Sequence, residues 1–252
     1  PRMVLFPEDQ DLKLLNTIEE KKQLLEKAGV QHLIIHQFTK KFSRISSINY
    51  VRDILVNEIN THKLVIGYNH HFGRNREGSF EHLQKFASVY GFEVEEIPVQ
   101  FLDNVDVSST KIRKALFLGY VDKAAEYLGY QYELSGTVVK GSAIGRSIGF
   151  PTANLDLGDV KKIIPADGVY AVWVIVDKIT YKGMMNIGKK PTLNSKIRTL
   201  EIHLLDFDQY IYNKQIKIKF VKRIRDEIAF SELIELKKQL EKDRKLITAL
   251  LS

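Results

Sequence analysis

The hydrophobic pattern of this chain changes near Tyr130, and that change limits the possible folds more than any other feature of the sequence. Before Tyr130, segments with the 3.6-residue period of amphipathic helices alternate with short apolar runs. This alternation predicts crossover units and a parallel sheet. After Tyr130, strand patterns and turns dominate until one final helix. We therefore predict an α/β domain of residues 1–129 and a β-rich domain of residues 130–252.

Capping residues and glycines locate the predicted elements of the first domain. A serine or threonine before an amphipathic segment predicts a helix start, and a glycine after it predicts a helix end. Apolar runs between these helices predict buried strands. By these criteria the helices follow Thr17, Ser46 or Ser47, Ser79, and Ser108 or Ser109, a further helix spans residues 121–128, and the strands are Leu33–Ile35, Leu64–Ile66 and Phe92–Ile97.

The second domain contains strands of two kinds. The run Val169–Val176 predicts a long apolar strand. In residues 216–221 apolar side chains alternate with lysines, which is typical of an antiparallel strand with one buried face. A turn precedes this strand because Asn213 tolerates a positive φ angle. The final helix begins near Ser231 and carries an apolar stripe of Leu233, Leu236, Leu240, Ile247 and Leu250.

Composition excludes several classes of protein. The 252 residues include no cysteine, which rules out disulfides, thiolate metal sites and cysteine nucleophiles and favours a reducing, cytoplasmic location. The longest uncharged apolar run, Gly168–Val176, has the length of a strand and not of a membrane-spanning helix. The chain begins Pro1-Arg2-Met3, with no signal-peptide layout. The formal net charge of +7 suits a nucleotide, a nucleic acid or a membrane surface as partner, or simply a basic soluble protein.

A glycine-rich segment is the densest functional signal in the second domain. Gly141, Gly145 and Gly149 fall within nine residues and allow a tight bend whose amide N–H groups could bind an anion. Lys140 and Arg146 add positive charge. The segment differs from the common phosphate-binding loop, which has four residues between its glycines and then Gly-Lys-Ser/Thr. An ordinary turn is the alternative interpretation.

The segment Pro151–Asn154, which follows these glycines, supplies oxygen ligands. Thr152 and Asn154 are two residues apart, so in an extended backbone their side chains share one face. A hydroxyl and an amide oxygen on one face suit a hard cation such as Mg²⁺ beside phosphate groups. The sequence therefore predicts a magnesium site at Thr152 and Asn154.

Glu201 has two interpretations from the residues alone. On a strand, Glu201 and His203 share one face, and Ile202 and Leu204 share the other. A glutamate among apolar neighbours is either a surface residue near a strand end, which composition favours, or a base placed at a site. For His203 we favour a hydrogen-bonded structural role.

Three further groups of polar residues also have structural alternatives. Ser108–Thr110 at a helix start, with Arg113 one turn later, form either a helix cap or an anion site. The loop Gly73–Gly78 either faces a phosphate or is solvated. The basic run from Lys217 to Arg225 lacks aromatic side chains interleaved on its exposed face, so it indicates the solvated face of a strand and not a nucleic-acid surface.

Several motifs occur in a fixed order along the second domain. They are Gly-x-x-x-Gly-Arg-x-x-Gly-Phe-Pro-Thr-Ala-Asn at 141–154, Pro165–Tyr170, Met185–Gly188 with Pro191 and Thr192, Glu201–Phe207, Arg225–Glu227 with Phe230, and Gln239–Asp243. With these motifs the domain resembles riboflavin kinases. Through Pro1-Arg2, Gly67–Gly78 and Val107–Arg113, the first domain resembles the FMN adenylyltransferase module that precedes this kinase in bacterial bifunctional flavin-forming enzymes.

The resemblance implies a fold and two reactions. The implied fold is an incomplete Rossmann-like nucleotidyltransferase domain, followed by a small antiparallel β-barrel kinase domain with a C-terminal helix. The kinase converts riboflavin and ATP into FMN and ADP with Mg²⁺, and the other module of the parent protein converts FMN and ATP into FAD and pyrophosphate. The implied partners are these small molecules, with no nucleic acid and no membrane, in the cytoplasm. The sequence does not determine the oligomeric state.

The resemblance also implies roles for individual residues. Glu201 matches the catalytic base of the family, and Thr152 and Asn154 are the expected magnesium ligands. Arg225 and Phe230 are the expected flavin contacts. The expected ATP-binding residues of the kinase are Lys140, Gly141, Gly145, Arg146, Gly149, Pro151 and Thr152. Those of the adenylyltransferase are Gly67, Asn69, Arg76, Ser108, Ser109, Thr110 and Arg113.

Two departures from the family pattern concern the adenylyltransferase module. The sequence has no His-x-Gly-His pair, and roughly the first 50 residues of that module have no counterpart. Asn69 stands where the family usually has an aspartate, and an amide cannot supply the charge of a carboxylate. We therefore expect these residues to form FMN but no FAD. A basic RNA-binding β-barrel and a catalytically inactive flavin-binding protein are the alternative functions.

Overall fold

The computed structural model describes residues 2–5, 13–99, 101–102, 105–141, 144–158, 161–189 and 198–252. Pro1, Pro191 and Thr192, which contribute to the resemblance above, lie outside these residues. The chain divides into two compact units, Pro1–Leu12 with Ile18–Val107 and Lys13–Thr17 with Ser108–Ser252. Leu14 connects the short segment to the second unit, because its N–H donates to the Lys161 carbonyl at 2.6 Å and its carbonyl accepts from the Ile163 N–H at 3.0 Å.

The first unit contains a small parallel sheet between helical segments. Strand β1 (Lys63–Gly67) pairs in parallel with β2 (Glu93–Ile97), and helix α4 (Phe80–Tyr90) connects them, which confirms the predicted crossover. The elements before β1 are α1 (Arg2–Leu5), α2 (Ile18–Lys27), a 3₁₀ turn at Phe42–Arg44, and α3 (Ser47–Asn49) with its π-helical continuation Tyr50–Glu58. A second 3₁₀ turn at Arg74–Arg76 lies between β1 and α4. After the sheet, β3 (Phe101–Leu102) and β4 (Val105–Asp106) form a short antiparallel pair.

The core of the first unit comes from the apolar faces of its predicted helices and strands. Its buried members are Val51, Leu55, Ile66, Leu83 and Phe92. The cap predicted at Ser46 is confirmed, because the serine hydroxyl accepts from the Asn49 N–H at 3.3 Å. Ser79 precedes α4 as predicted, but its hydroxyl contacts Glu81 and His82 and makes no capping hydrogen bond.

The strand predicted at Leu33–Ile35 is wrong. These residues have no regular secondary structure, and their exposed fractions are 45%, 69% and 55%. A strand requires a neighbour that completes its hydrogen bonds. Among the described residues, the sheet of the first unit contains only β1 and β2, and neither pairs with this segment. Apolar character alone therefore does not produce a strand here.

The second unit is a closed, fully antiparallel barrel of six strands. The strands are β5 (Glu133–Val139), β6 (Ala153–Asp156), β7 (Gly168–Val176), β8 (Ile179–Lys189), β9 (Arg198–Leu204) and β10 (Gln215–Arg225), in the spatial order β10-β5-β6-β9-β8-β7. Helices α5 (Ser109–Phe117) and α6 (Val121–Leu128) precede the barrel, α7 (Ile144–Ser147) interrupts it, and α8 (Leu233–Leu250) follows it. The predicted fold class is confirmed.

Side-chain alternation divides the barrel into an interior and a covered outer face. Tyr170 and Phe220 lie fully buried inside the barrel with their rings in a T-shaped contact at 5.3 Å. The lysines of β10 point outward, as predicted, and Lys217 pairs with Glu133 at 3.0 Å. The C-terminal helix α8 covers another part of the outer face, where Ile247 is fully buried in a cluster with Phe150, Val169, Ala171, Met184, Leu205 and Leu251.

Two arginines hold the bend at Asp167, which belongs to the Pro165–Tyr170 motif. Arg198 donates through Nε to the Asp167 carboxylate at 2.8 Å, and Arg223 donates to the Asp167 carbonyl. Gly168 follows with φ 147°, and a Cβ atom there would lie 2.7 Å from the Arg225 carbonyl oxygen. This close approach explains the glycine.

In the described part of the chain, no helix is both long and apolar enough to cross a membrane.

Candidate functional site

A cavity of about 280 Å³ lies between the outer face of the barrel and α8. We call it the helix cavity. One side is apolar, with Leu236 and Leu240 from α8 and Phe230 from the preceding loop. The other side carries polar side chains, Glu201 and Asn186 from the barrel, beside apolar ones. Further lining residues are Gly145, Ile148, Phe150, Thr152, Val169, Met184, His203, Arg225, Glu227 and Ile228. The cavity suits a ligand with one flat apolar part and one hydroxylated part.

A row of polar side chains across three strands continues from the polar side of the helix cavity. Glu201 on β9 lies directly opposite Asn154 on β6 and opposite Asn186 on β8. Directly opposite residues in antiparallel strands point to the same face of the sheet. The Glu201 carboxylate therefore lies between two amides. The Asn186 amide also donates to the Glu227 carboxylate at 3.2 Å, which connects the row to the loop after β10.

An ion pair joins the helix cavity to α8. Arg225 at the end of β10 donates through Nη2 to Asp243 at 2.7 Å and through Nε at 3.0 Å. The Gln239 amide donates to the same carboxylate at 2.9 Å. The Asp243 side chain is only 3% exposed and the Arg225 side chain 17%. Arg225 therefore lines the cavity, while its guanidinium binds the helix that forms the opposite wall.

His203 fixes the loop that enters β6. Its Nδ1 lies 2.8 Å from the Pro151 carbonyl oxygen, and its ring packs against Phe150 with centroids 5.1 Å apart. Burial lowers the pKa of His203, the hydrogen bond to Pro151 opposes that shift, and the charge of Arg244 adds to it. The net lowering keeps the imidazole neutral near pH 7. The structural role predicted for His203 agrees with these contacts.

A second cavity, of about 270 Å³, lies beside the first. We call it the tyrosine cavity, because Tyr210 and Tyr212 line it with rings 5.1 Å apart in a T-shaped contact. Arg146 supplies a positive charge. The other lining residues are Val138, Pro151, Thr152, Ala153, Ile202, Leu204, Phe207, Asp208, Gln209 and Ile211. Thr152 lines both cavities, so it marks the place where ligands in the two would meet.

The glycine-rich segment shapes the wall between the cavities. The Phe150 N–H donates to the Gly145 carbonyl at 2.8 Å, and Gly149 takes a positive φ of 85°. A Cβ atom on Gly141 would overlap the amide of Asn154. Thr152 and Asn154 are half-buried and alternate with buried Ala153 and Leu155, so they share one face as predicted.

The predicted kinase residues fall into four groups in this part of the chain. Glu201, Gly145, Arg225 and Phe230 line the helix cavity, Arg146 and Pro151 line the tyrosine cavity, and Thr152 lines both. Lys140, Gly141, Gly149 and Asn154 line neither cavity in the described part of the chain. The described residues contain no group of three or more His, Cys, Asp or Glu side chains that could hold a metal.

The predicted adenylyltransferase residues lie in both compact units. Gly67 ends β1, Asn69 lies in the turn after it, and Arg76 takes a positive φ of 60° in the next loop. Ser108, Ser109, Thr110 and Arg113 belong to the second unit, where the Ser108 hydroxyl caps α5 by accepting from the Lys111 N–H at 3.4 Å. The helix cap is thus present, and Arg113 donates to the Lys13 carbonyl at 3.4 Å.

Sequence reasoning missed three residues of the site and one of its two cavities. It assigned no role to Asp243, Asn186 or Glu227, and it did not find the tyrosine cavity. A signal existed for Asp243, because it falls on the apolar stripe of α8, seven residues after Leu236 and four before Ile247. A carboxylate on a buried stripe requires a charged partner.

Two protein-family models match the chain. The model described as FAD synthetase matches residues 1–111, and the model described as riboflavin kinase matches residues 128–251. The junction between them falls near the change of pattern at Tyr130.

Curated relatives match nearly the whole chain. A bifunctional riboflavin kinase/FMN adenylyltransferase of Haemophilus influenzae is 37% identical over 244 residues, which is 96% of this chain and 78% of the relative. The protein of the same description from Escherichia coli K12 is 36% identical over 253 residues, 96% of this chain and 80% of the relative. A solved structure from Streptococcus pneumoniae, described as a macrolide-efflux protein, has a TM-score of 0.91 and 31% identity over 98% of this chain and 80% of its own.

Proposed function

Because the chain belongs to the family of bifunctional riboflavin kinase/FMN adenylyltransferases, which make flavin cofactors, we propose that its barrel phosphorylates riboflavin in the helix cavity. The enzyme uses ATP, riboflavin and FMN as substrates. The position of Glu201 carries the proposal. Its carboxylate lies between Asn154 and Asn186 at the polar side of a cavity whose other side is apolar.

The two sides of the helix cavity correspond to the two parts of riboflavin. The flat isoalloxazine ring lies against Leu236, Leu240 and Phe230. The ribityl chain extends along the row of polar side chains, and its terminal hydroxyl reaches Glu201. Arg225 supports this arrangement by holding α8 in place through Asp243.

Glu201 acts as the general base of the transfer. Its carboxylate accepts the proton of the terminal ribityl hydroxyl as that oxygen bonds to the γ-phosphorus of ATP. The bond between the γ-phosphorus and the bridging oxygen breaks, and ADP leaves with that oxygen. An alcohol is a weak nucleophile at neutral pH, so a carboxylate within hydrogen-bond reach raises the rate.

ATP occupies the tyrosine cavity in this proposal. Tyr210, which is 71% exposed, offers a stacking surface for the adenine base. Arg146 offers a cation for the phosphates. The phosphate end then reaches Thr152, where the two cavities meet. The loop around the phosphates is shaped by Gly141, Gly145, Gly149 and Pro151. Lys140 adds positive charge to it.

Thr152 and Asn154 fit a magnesium ion, because both present oxygen atoms on one face beside the carboxylate of Glu201. Mg²⁺ prefers hard oxygen ligands and keeps several water or phosphate ligands of its own. When bound, it neutralises charge on the transferring phosphate groups. Because the Thr152 hydroxyl and the Asn154 amide are neutral, the phosphate groups of ATP balance the charge of the ion.

The remaining assignments concern the first module and the cell. We propose that the residues of this chain that serve FMN adenylylation are Gly67, Asn69, Arg76, Ser108, Ser109, Thr110 and Arg113. A boundary between the two modules at residue 129 remains a proposal, supported by the separate matches to residues 1–111 and 128–251, whereas the compact units divide after Val107. A cytoplasmic location is part of the same proposal.

A single substitution tests the kinase proposal. Glu201→Gln keeps the size of the side chain and removes the base, so riboflavin phosphorylation should fall by about 10²–10⁴. ADP binding should stay within a few-fold, because the side chain lies in the other cavity. Glu133→Gln is the matched control, since Glu133 lies on the barrel beside Lys217 and lines neither described cavity. A Glu201→Gln enzyme that keeps more than about a third of wild-type turnover excludes Glu201 as the base.

A further inference from the structure

We propose that His203 is a positioning residue for phosphoryl transfer, which holds Thr152 at the wall between the two cavities through the Pro151 carbonyl. The inference rests on the proposed kinase function. It concerns a residue that touches neither the nucleotide nor the magnesium ion in that proposal. It assigns His203 a role in the reaction and not only in the stability of the barrel.

The position of His203 connects the base to the loop. His203 lies two residues after Glu201 on β9, on the same face of the strand. It is 8% exposed, and its ring packs against Phe150. A buried ring held on one side by another ring has few alternative orientations. The contact between Nδ1 and the Pro151 carbonyl therefore has a fixed direction.

The chemistry of that contact determines the tautomer. A carbonyl oxygen only accepts hydrogen bonds, so Nδ1 of His203 carries the proton and donates it at 2.8 Å. Pro151 has no N–H group and cannot fasten the loop by donating to a neighbour. The preceding residue is fastened by the bond from the Phe150 N–H to Gly145. His203 holds the next carbonyl along the chain.

Thr152 follows that carbonyl directly. The regular pairing of β6 begins one residue later, at Ala153. Thr152 thus lies between the strand and the point held by His203, and it lines both cavities. A displacement of about 1 Å in a positioning contact can lower a rate by up to 10²-fold. Loss of the His203 bond should therefore lower the rate of phosphoryl transfer and raise the Mg²⁺ concentration that the reaction needs.

Two amide substitutions separate this role from simple packing. In His203→Asn the amide nitrogen stands close to the place of Nδ1 and can still donate to Pro151. In His203→Gln the amide nitrogen stands closer to the place of Nε2 and cannot. Both variants keep a polar side chain in the same space. Fluorescence of Trp173, the one tryptophan of the chain, reports whether the barrel is folded in each.

The experiment measures kcat and the Mg²⁺ concentration for half-maximal riboflavin phosphorylation. We expect His203→Gln to lower kcat about tenfold or more and to raise the Mg²⁺ requirement, and His203→Asn to stay within about threefold of wild type in both. Equal values for the two variants, or an unchanged Mg²⁺ requirement in His203→Gln, would overturn the role of His203.

Thr152→Ala, measured in parallel, distinguishes this failure from that of the kinase proposal. An unchanged Mg²⁺ titration in Thr152→Ala removes Thr152 from the metal site and overturns the inference about His203, while the kinase proposal fails only if Glu201→Gln keeps its turnover. A changed Mg²⁺ titration in Thr152→Ala together with an unchanged one in His203→Gln overturns only the inference about His203.

Discussion

Replacement of Asp243 by alanine should loosen α8 from the barrel and open the helix cavity. In the native protein the Asp243 carboxylate accepts from Arg225 at 2.7 and 3.0 Å and from Gln239 at 2.9 Å. The substitution leaves the guanidinium of Arg225 beside a helix without its counter-charge. Since Leu236 and Leu240 of the same helix line the cavity, riboflavin binding should weaken along with stability.

The magnitude follows from the burial of the pair. Removal of one partner from a buried ion pair costs about 3–5 kcal/mol. Arg225 keeps a hydrogen bond to the Asp226 carbonyl at 2.9 Å and a side-chain exposure of 17%, so part of its solvation is retained. We therefore expect a loss near the lower limit, about 3 kcal/mol of unfolding free energy. For a unit of this size, that loss lowers Tm by roughly 6–12 °C.

The assay is a double-mutant cycle followed by tryptophan fluorescence. Trp173 packs against the cluster that contains Ile247, so its emission reports unfolding of the barrel together with α8. The cycle compares Asp243→Ala, Arg225→Ala and the double variant in urea. Glu241→Ala is the matched control, because Glu241 is an exposed carboxylate on the same helix.

The result that refutes this reasoning is a weak coupling between the two positions. We expect a coupling free energy of about 2 kcal/mol or more between Asp243 and Arg225, and almost no effect of Glu241→Ala. A coupling below about 0.5 kcal/mol would show that the two side chains contribute independently. A riboflavin KM unchanged in Asp243→Ala, despite the stability loss, would show that α8 is not needed to hold the flavin.

The remaining predictions concern the magnesium site and the contact between Gly188 and Glu227 in the loop after β10. Thr152→Ala and Asn154→Ala should each raise the Mg²⁺ concentration needed for half-maximal activity, because each removes an oxygen ligand from a cation with strict geometry. Gly141→Ala should have the same effect, since its Cβ would displace the Asn154 amide; an unchanged Mg²⁺ titration in all three variants contradicts the assignment. Gly188→Ala should raise the riboflavin KM and leave the ATP KM unchanged, because the new Cβ would displace the Glu227 carboxylate. Steady-state kinetics with each substrate varied in turn tests this, and an equal rise in both KM values would refute it.

Elements that a local sequence pattern marks could be predicted from the sequence. The alternation at Ile216, Ile218 and Phe220 predicts β10, and these three side chains are indeed buried. The turn before this strand has Asn213 at φ 62°, as its residue type indicates. Helix α4 begins after Ser79 and ends before a glycine, again as predicted. In each case the sequence signal, an alternation, a turn residue or a helix-ending glycine, lies within a few residues along the chain.

Features that depend on distant partners could not be predicted from local patterns. The run Leu33–Ile35 has the composition of a buried strand, yet no described strand pairs with it. The polar row at Glu201 depends on the register of three strands that are far apart in the sequence. The family resemblance supplied Glu201 as a candidate, while its two amide neighbours required the structure.

The central claim is that riboflavin binds in the helix cavity and the nucleotide in the tyrosine cavity. A structure of the enzyme with riboflavin, ADP and Mg²⁺ tests it most directly. We predict the isoalloxazine ring against Leu236 and Leu240, the adenine beside Tyr210, the terminal ribityl hydroxyl within hydrogen-bond distance of Glu201, and Mg²⁺ held by Thr152 and Asn154. Riboflavin in the tyrosine cavity, or a ribityl hydroxyl directed away from Glu201, would contradict it.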